Sequence, residues 1–288
     1  MIEDLIEQKE KFIENERLDE KEKKTLTDYS NAINKFINYL KANNITNLDK
    51  NTMLDYKDYL TESNFAVKSK NKYIVILNKF LKYINKKELV LKKFKEQYKT
   101  SIDDPIWEQE HNRMLRWAKK LDLMDMYWIM RIFAHTGARI SELKYFTVES
   151  LNEEYITRVF NKGKERTIII PNELKRGLKN YCKENKIVSG FIFISPVKSG
   201  KMLNNATIWR RLKRIARAAK INPKKIHPHA WRHLFAVKCK ESGIDLDELK
   251  DILGHSRIET TEIYTKTSNY GKKKKLETIK YKGGSIDV

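Results

Sequence analysis

Residues 253–265 read Leu-Gly-His-Ser-Arg-Ile-Glu-Thr-Thr-Glu-Ile-Tyr-Thr. Gly254 stands where a helix C-cap belongs, so the helix predicted over 245–253 ends there. Ser256-Arg257-Ile258-Glu259 fits a capping box that opens a second helix, predicted over 257–267, and that helix carries Tyr264 nine residues beyond His255. Upstream, His229-Ala230-Trp231-Arg232-His233 puts His229 and Arg232 three positions apart, on one face of a helix predicted over 229–242. Further upstream, Thr136-Gly137-Ala138-Arg139-Ile140-Ser141-Glu142-Leu143 follows a helical pattern over 122–135. Between these blocks, Tyr155–Phe160 and Arg166–Ile170 flank Asn161-Lys162-Gly163-Lys164-Glu165, the pattern of a β-hairpin with glycine in its turn.

The rest of the chain is helical in pattern. Leu26, Tyr29, Ile33, Phe36, Ile37 and Leu40 recur at three- and four-residue steps over 25–42. A shorter helix is predicted near 52–62. A third, over 67–84, turns Ile74, Leu77, Leu81 and Ile84 inward and Lys68, Lys72, Lys79 and Lys82 outward. Residues 89–105 break the periodicity, carry several lysines and end at Pro105, which marks a linker. Further helices are predicted over 107–120, 172–184 and 205–219. In the last of these Ile208, Leu212, Ile215 and Ala219 face inward, leaving Arg210, Lys213, Arg214 and Arg217 outward.

Charge narrows the partners. The 288 residues carry 59 Lys and Arg against 38 Asp and Glu, a net charge of +21, which draws the protein to a polyanion. The excess is uneven: −4 over residues 1–28, +8 over 29–103 and +17 beyond. No apolar run approaches the roughly 20 residues of a membrane span. The N-terminus, Met-Ile-Glu-Asp-Leu-Ile-Glu, has no apolar signal core. Two cysteines, Cys182 and Cys239, have neither metal nor disulfide-framework spacing, and a reducing cytosol is the default setting. Gly200-Lys201 lacks the upstream glycine of a phosphate loop, and the histidines at 227, 229, 233 and 255 have no partner cysteine or carboxylate at ligand spacing. The expectation is no metal and no cofactor.

What remains is a set of cations, histidines and hydroxyls, which suits a phosphodiester. Attack on one passes through a pentavalent, highly anionic phosphorus, whose oxygens two arginines can hold by bidentate hydrogen bonds. A hydroxyl nucleophile, a proton acceptor and a proton donor to the leaving oxygen complete the requirement.

The four blocks, in this order and at this spacing, resemble the motifs of the tyrosine recombinase (phage integrase) family, Xer-like members above all. The resemblance is detailed over about residues 108–268 and only a matter of pattern over 25–88. It implies a mostly α fold: a helical, SAM-like core-binding domain over 1–88, a linker over 89–105, and an α+β catalytic domain with a small antiparallel sheet over 106–288. Carried over to this sequence, Arg139 and Arg232 clamp the scissile phosphate and Tyr264 is the nucleophile. His229 assists its deprotonation, His255 donates to a phosphate oxygen, and Lys162, before the turn glycine, protonates the departing 5′-oxygen. Lys164 is the rival for that last role, and Glu142 orients the region rather than reacting. Lys68, Lys72, Arg210 and Arg214 are the candidates for gripping DNA.

The family implies a clamp around double-stranded DNA, cutting and rejoining through a 3′-phosphotyrosine, assembly as a tetramer on paired sites, and a cytoplasmic, nucleoid-associated protein. After Tyr264 the tail offers Tyr270, the run Lys272–Lys275, and Leu276 with Ile279 as an apolar pair for exchange between protomers. Two other classes remain open: a type IB topoisomerase, and a catalytically inactive DNA-binding module.

Overall fold

The structure is a computed structural model, and it describes residues 1–96, 105–161, 164–195, 200–254 and 277. The chain divides into two units, Met1–Tyr98 and Lys99–Val288.

The first unit consists of four helices: α1 (Ile2–Leu18), α2 (Lys23–Ala42), α3 (Lys50–Glu62) and α4 (Val67–Tyr83). Phe12, Ile33, Phe36, Leu40, Tyr56, Leu77 and Phe80 form its buried centre. Of the inward positions expected on α2 and α4, Ile33, Phe36, Ile37, Leu40, Ile74, Leu77 and Leu81 are buried, whereas Leu26, Tyr29 and Ile84 are only half-buried. Asp49 caps α3 by accepting from the Thr52 amide at 2.8 Å. Helix α1 was not anticipated, because its apolar residues are diluted among charges. Leu5 and Phe12, two turns apart, nevertheless bury completely, and Glu16 one turn further is buried and paired with Lys79 of α4.

The expected linker is held by this unit as far as Glu96. Leu89 and Leu91 are buried in the helical core. Asn78 exchanges two hydrogen bonds with the backbone of Leu91, at 2.7 and 2.8 Å. Asn71 does the same with Phe94, at 2.7 and 3.0 Å. Two turns of helix rise about 10 Å, as three extended residues do, so the two asparagines match a straight strand lying along α4.

The second unit contains α5 (Glu108–Lys120), α6 (Met124–Thr136), β1 (Tyr155–Asn161), β2 (Lys164–Ile169), α7 (Asn172–Glu184), α8 (Asn205–Ala218), α9 (Pro228–Glu241) and α10 (Leu246–Leu253). Helix α6 is apolar nearly all round, and so it is central: Met126, Ile129, Met130, Ile132 and Phe133 are buried, and the helix lies against α9. Strands β1 and β2 pair antiparallel, with Tyr155 opposite Ile169 and Asn161 opposite Lys164. The hairpin therefore runs further than its apolar residues suggested, because Lys164 and Glu165, assigned to the turn from the sequence, belong to β2. Along β2 and the residue that follows it, Arg166, Ile168 and Ile170 are buried while Glu165, Thr167 and Ile169 are exposed, the period of a strand with one covered face.

Candidate active site

Helix α6 ends at Gly137, whose φ of +60° is the left-handed conformation glycine adopts at lowest cost. A side chain there would also meet Phe235 at 2.6 Å. The chain then extends through Arg139 into a short 3-10 turn over Ile140–Tyr145. Glu142, at the third position of that turn, accepts from the Arg139 amide at 2.7 Å and from Arg139 Nη1 at 2.9 Å. This folds the Arg139 side chain back over its own turn, and it stays about a quarter exposed.

Glu142 is fully buried and binds a second guanidinium, that of Arg166 on β2. Arg166 Nε donates to Oε1 at 3.2 Å and Nη2 donates to Oε2. Burial pushes the Glu142 carboxyl up. The hydrogen bonds and charge of Arg166, followed by those of Arg139, outweigh burial and hold its pKa at about 2.

Arg232 lies on α9, one turn beyond His229, and is 1% exposed. Its Nη1 donates to the carbonyl of Gly137 at 2.6 Å and its Nη2 to that of Leu253. Arg139 Nη2 reaches the carbonyl of Gly254 at 3.4 Å, and Arg166 Nη1 that of Ile252 at 2.6 Å. Three arginines from three elements thus take three successive carbonyls at the C-terminus of α10. Those carbonyls lack partners within the helix and carry its negative partial charge, so cations are favoured there. Gly254, with φ of +61°, closes α10 as expected.

His229, in the first turn of α9, is exposed. His227 caps that helix through Nδ1, which accepts from the Ala230 amide at 3.1 Å, with Pro228 following in the first turn. His233 is half-buried, and burial lowers its pKa to about 4, so it is neutral at pH 7, in keeping with a packing role. Trp231, between the two functional candidates of α9, is buried and donates its Nε1 to His111 Nδ1 of α5 at 2.9 Å. That bond ties α9 to α5 in the turn that carries Arg232.

Lys162, His255 and Tyr264 lie outside the described residues, as do the helix expected over 257–267 and the tail features Tyr270, Lys272–Lys275, Leu276 and Ile279. The residues brought together are Arg139, Glu142, Arg166 and Arg232. Arg166 had been overlooked. Its signal was a charged residue at an inward position of a strand, beside Ile168 and Ile170.

The basic surfaces need correcting in part. On α8, Arg210, Arg214 and Arg217 are exposed and make no ion pair among the described residues. Lys213, expected outward with them, is half-buried, donates to the Pro223 carbonyl and lies 5.8 Å from the Trp209 ring centre. On α4, Lys68 is exposed, but Lys72 pairs with Asp28 at 2.8 Å and Lys79 with Glu16. The first unit therefore presents fewer unengaged cations than its sequence implied. Among the described residues no group of His, Cys, Asp or Glu could hold a metal ion, and no helix is long and apolar enough to cross a membrane.

Fold and site together define a class: a helical unit followed by a mainly helical unit that gathers arginines around the end of one helix. The chain belongs to the phage integrase family. Residues 106–270 match the phage integrase family itself, and residues 14–88 match the phage integrase N-terminal SAM-like domain. Tyrosine recombinase XerA of Pyrococcus furiosus is 29% identical over 263 residues, covering 90% of this chain and 89% of that protein. Tyrosine recombinase XerD of Vibrio cholerae is 25% identical over 260 residues, covering 84% and 85%. Among solved structures, XerH site-specific recombinase bound to a palindromic difH substrate superposes with a TM-score of 0.70 at 20% identity, over 88% of this chain and 79% of that one. The Tn1549 transposon integrase in complex with circular intermediate DNA gives 0.68 at 17% identity, over 95% and 98%.

Proposed function

We propose that this protein is a site-specific DNA recombinase that cuts and rejoins strands of double-stranded DNA through a 3′-phosphotyrosine at Tyr264. The observation that carries the reading is the convergence of Arg139 and Arg232, distant in sequence, on the end of α10 that leads directly into His255. Membership of the family and the names of the relatives supply the reaction class.

In this reading Tyr264 attacks the phosphorus and the 5′-oxygen leaves. Arg139 and Arg232 hold the non-bridging oxygens with donors already oriented by Glu142 and by helix-terminal carbonyls, so little reorganisation is needed as charge builds up. His229 takes part in removing the tyrosine proton, His255 donates to a phosphate oxygen, and Lys162 protonates the leaving oxygen. The phosphotyrosine conserves the energy of the broken bond, so rejoining requires no nucleotide. Arg210, Arg214 and Lys68 grip the duplex backbone, with Lys72 as a further candidate once released from Asp28. Exchange between two duplexes needs four active sites, so the protein assembles as a tetramer on paired sites, within a cytoplasmic, nucleoid-associated pool. Residues 1–88 act as the core-binding domain and 106–288 as the catalytic one.

The test begins with a pool of random-sequence duplexes, each carrying one nick, from which those trapped covalently on the full-length protein are recovered and sequenced. Wild-type protein should yield adducts that survive boiling in detergent, and Tyr264→Phe should bind the recovered duplex without forming any. A normal yield of adduct from Tyr264→Phe would move the nucleophile, with Tyr270 next in line. An absence of adduct from wild type would favour an inactive DNA-binding module. Relaxation of supercoiled DNA without paired sites would favour the topoisomerase reading.

A further inference from the structure

Arg166 has no part in the roles assigned above, yet it occupies the middle of the site. Its guanidinium is almost wholly buried and bonds in two directions. Nε and Nη2 engage both oxygens of Glu142, the carboxylate that also holds Arg139. Nη1 donates to the Ile252 carbonyl, in the last turn of α10. The residue itself belongs to β2, two positions into the strand that follows the hairpin turn. In sequence it stands four residues after Lys162, and Ile252 stands three residues before His255.

A purely structural purpose accounts poorly for this arrangement. Burying a charged pair costs desolvation that a hydrophobic pair of similar volume avoids. Here the buried charges are joined to the arginine of the candidate phosphate clamp. The surroundings are also shaped to admit the guanidinium stem: a Cβ on Gly254 would lie 2.6 Å from Arg166 Cδ, closer than packing allows. Gly254 is thus required twice, by its left-handed backbone and by the approach of Arg166.

Building on the recombinase reading, we propose that Arg166 is a positioning residue for strand cleavage. It locks the hairpin that carries Lys162 to the end of α10 that leads into His255 and Tyr264, through the same carboxylate that orients Arg139. Protonation of the leaving group and placement of the nucleophile then depend on one guanidinium. Lysine cannot replace it, because a single ammonium cannot engage both carboxylate oxygens side-on and still reach the Ile252 carbonyl.

The experiment compares full-length wild type, Arg166→Lys, Lys162→Ala and the paired replacement Glu142→Leu/Arg166→Met on the duplex recovered from the random pool. Single-turnover cleavage is measured with an ordinary 5′-oxygen and with sulfur in its place, alongside duplex affinity and thermal melting. Arg166→Lys should cleave about 100-fold more slowly, the loss that a misplacement of about 1 Å brings, with duplex affinity almost unchanged. Sulfur, a better leaving group, should restore Lys162→Ala to near the wild-type rate but Arg166→Lys only in part, since nucleophile placement stays impaired. The paired replacement leaves no unpaired buried charge, so it should melt close to wild type. Because it also frees Arg139 from Glu142, its cleavage should fall further than that of Arg166→Lys, and sulfur should again restore it only in part. Wild-type rates in Arg166→Lys overturn the inference while leaving the recombinase reading intact. Complete rescue by sulfur overturns it too, by confining Arg166 to the hairpin, and so does a cleavage loss matched by equal losses in affinity and melting temperature. A wild-type protein that forms no adduct overturns the recombinase reading and this inference together.

Discussion

Replacing Glu142 by glutamine removes one charge with little change of shape, and the structure sets both the size of the effect and its pH dependence. The carboxyl has a pKa of about 2 in the folded protein against an ordinary 4.5. A folded pKa below the unfolded one stabilises the protein above pH 4.5, and that stabilisation is lost as the pH falls towards 2. The gap corresponds to about 3 kcal/mol at pH 7, of which about 2 kcal/mol is gone by pH 3. Glutamine forfeits this and leaves the Arg166 guanidinium buried without its anion, so the loss at pH 7 should be about 3–5 kcal/mol. His111 and His233, each with a pKa lowered by burial to about 4, destabilise the fold increasingly as the pH falls from about 6.5 to 4 and fully below that, but they do so in both proteins and cancel in the difference.

The assay is urea unfolding followed by tryptophan fluorescence from pH 7 to 3. All five tryptophans, at 107, 117, 128, 209 and 231, lie in the second unit, so the signal reports the unit that contains Glu142. The difference between the two proteins should shrink by about 2 kcal/mol across that range, most of it below pH 4.5. A difference that stays constant with pH would show that Glu142 is not held ionised by Arg166 and Arg139, and the electrostatic account of the site would fail.

Other outcomes follow from the same residues. Replacing Arg210 and Arg214 together by alanine should weaken duplex binding and make the logarithmic salt dependence shallower by about 2, and an unchanged slope in a salt titration would remove α8 from the interface. Cleavage should persist in excess chelator without nucleotide, and activity lost there and restored by added magnesium or zinc would sink the proposed mechanism. Truncation after residue 269 should preserve binding to a single site but reduce assembly on paired sites, which band-shift and recombination assays on one preparation separate. Full assembly by the truncated protein would place the contacts between protomers elsewhere, in the first unit.

Much of the fold was legible because apolar residues recur at the period of the element that buries them. On α8, Ile208, Leu212, Ile215 and Ala219 are all inside as their spacing requires. Helix α1 escaped because periodicity was carried by few residues among many charges. The misjudged cations share another cause. Whether a lysine on a polar face is free depends on what the fold brings near it: Lys213 meets the Pro223 carbonyl, and Lys79 meets Glu16 of a helix that had not been foreseen. Motif spacing located Arg139 and Arg232 but not Arg166, since an inward charge on a strand runs against the alternation by which strands are recognised.

The convergence of the three arginines has a further electrostatic consequence. Guanidinium groups repel one another, and holding Arg139, Arg166 and Arg232 around one helix end needs compensation. Part comes from Glu142, bound to two of them, and part from the carbonyls of Gly137, Ile252, Leu253 and Gly254, each of which accepts from one arginine. Carbonyl dipoles hold a cation without cancelling its charge. Among the described residues three arginines share one carboxylate, so positive charge predominates there and is fixed in direction before substrate binds. A phosphodiester carries a single negative charge, and the pentavalent phosphorus formed by attack concentrates more on its oxygens, so in the proposed mechanism this charge would favour the transition state over the ground state. In the proposed mechanism a second buried carboxylate in place of those carbonyls would cancel part of the charge that the carbonyls only orient.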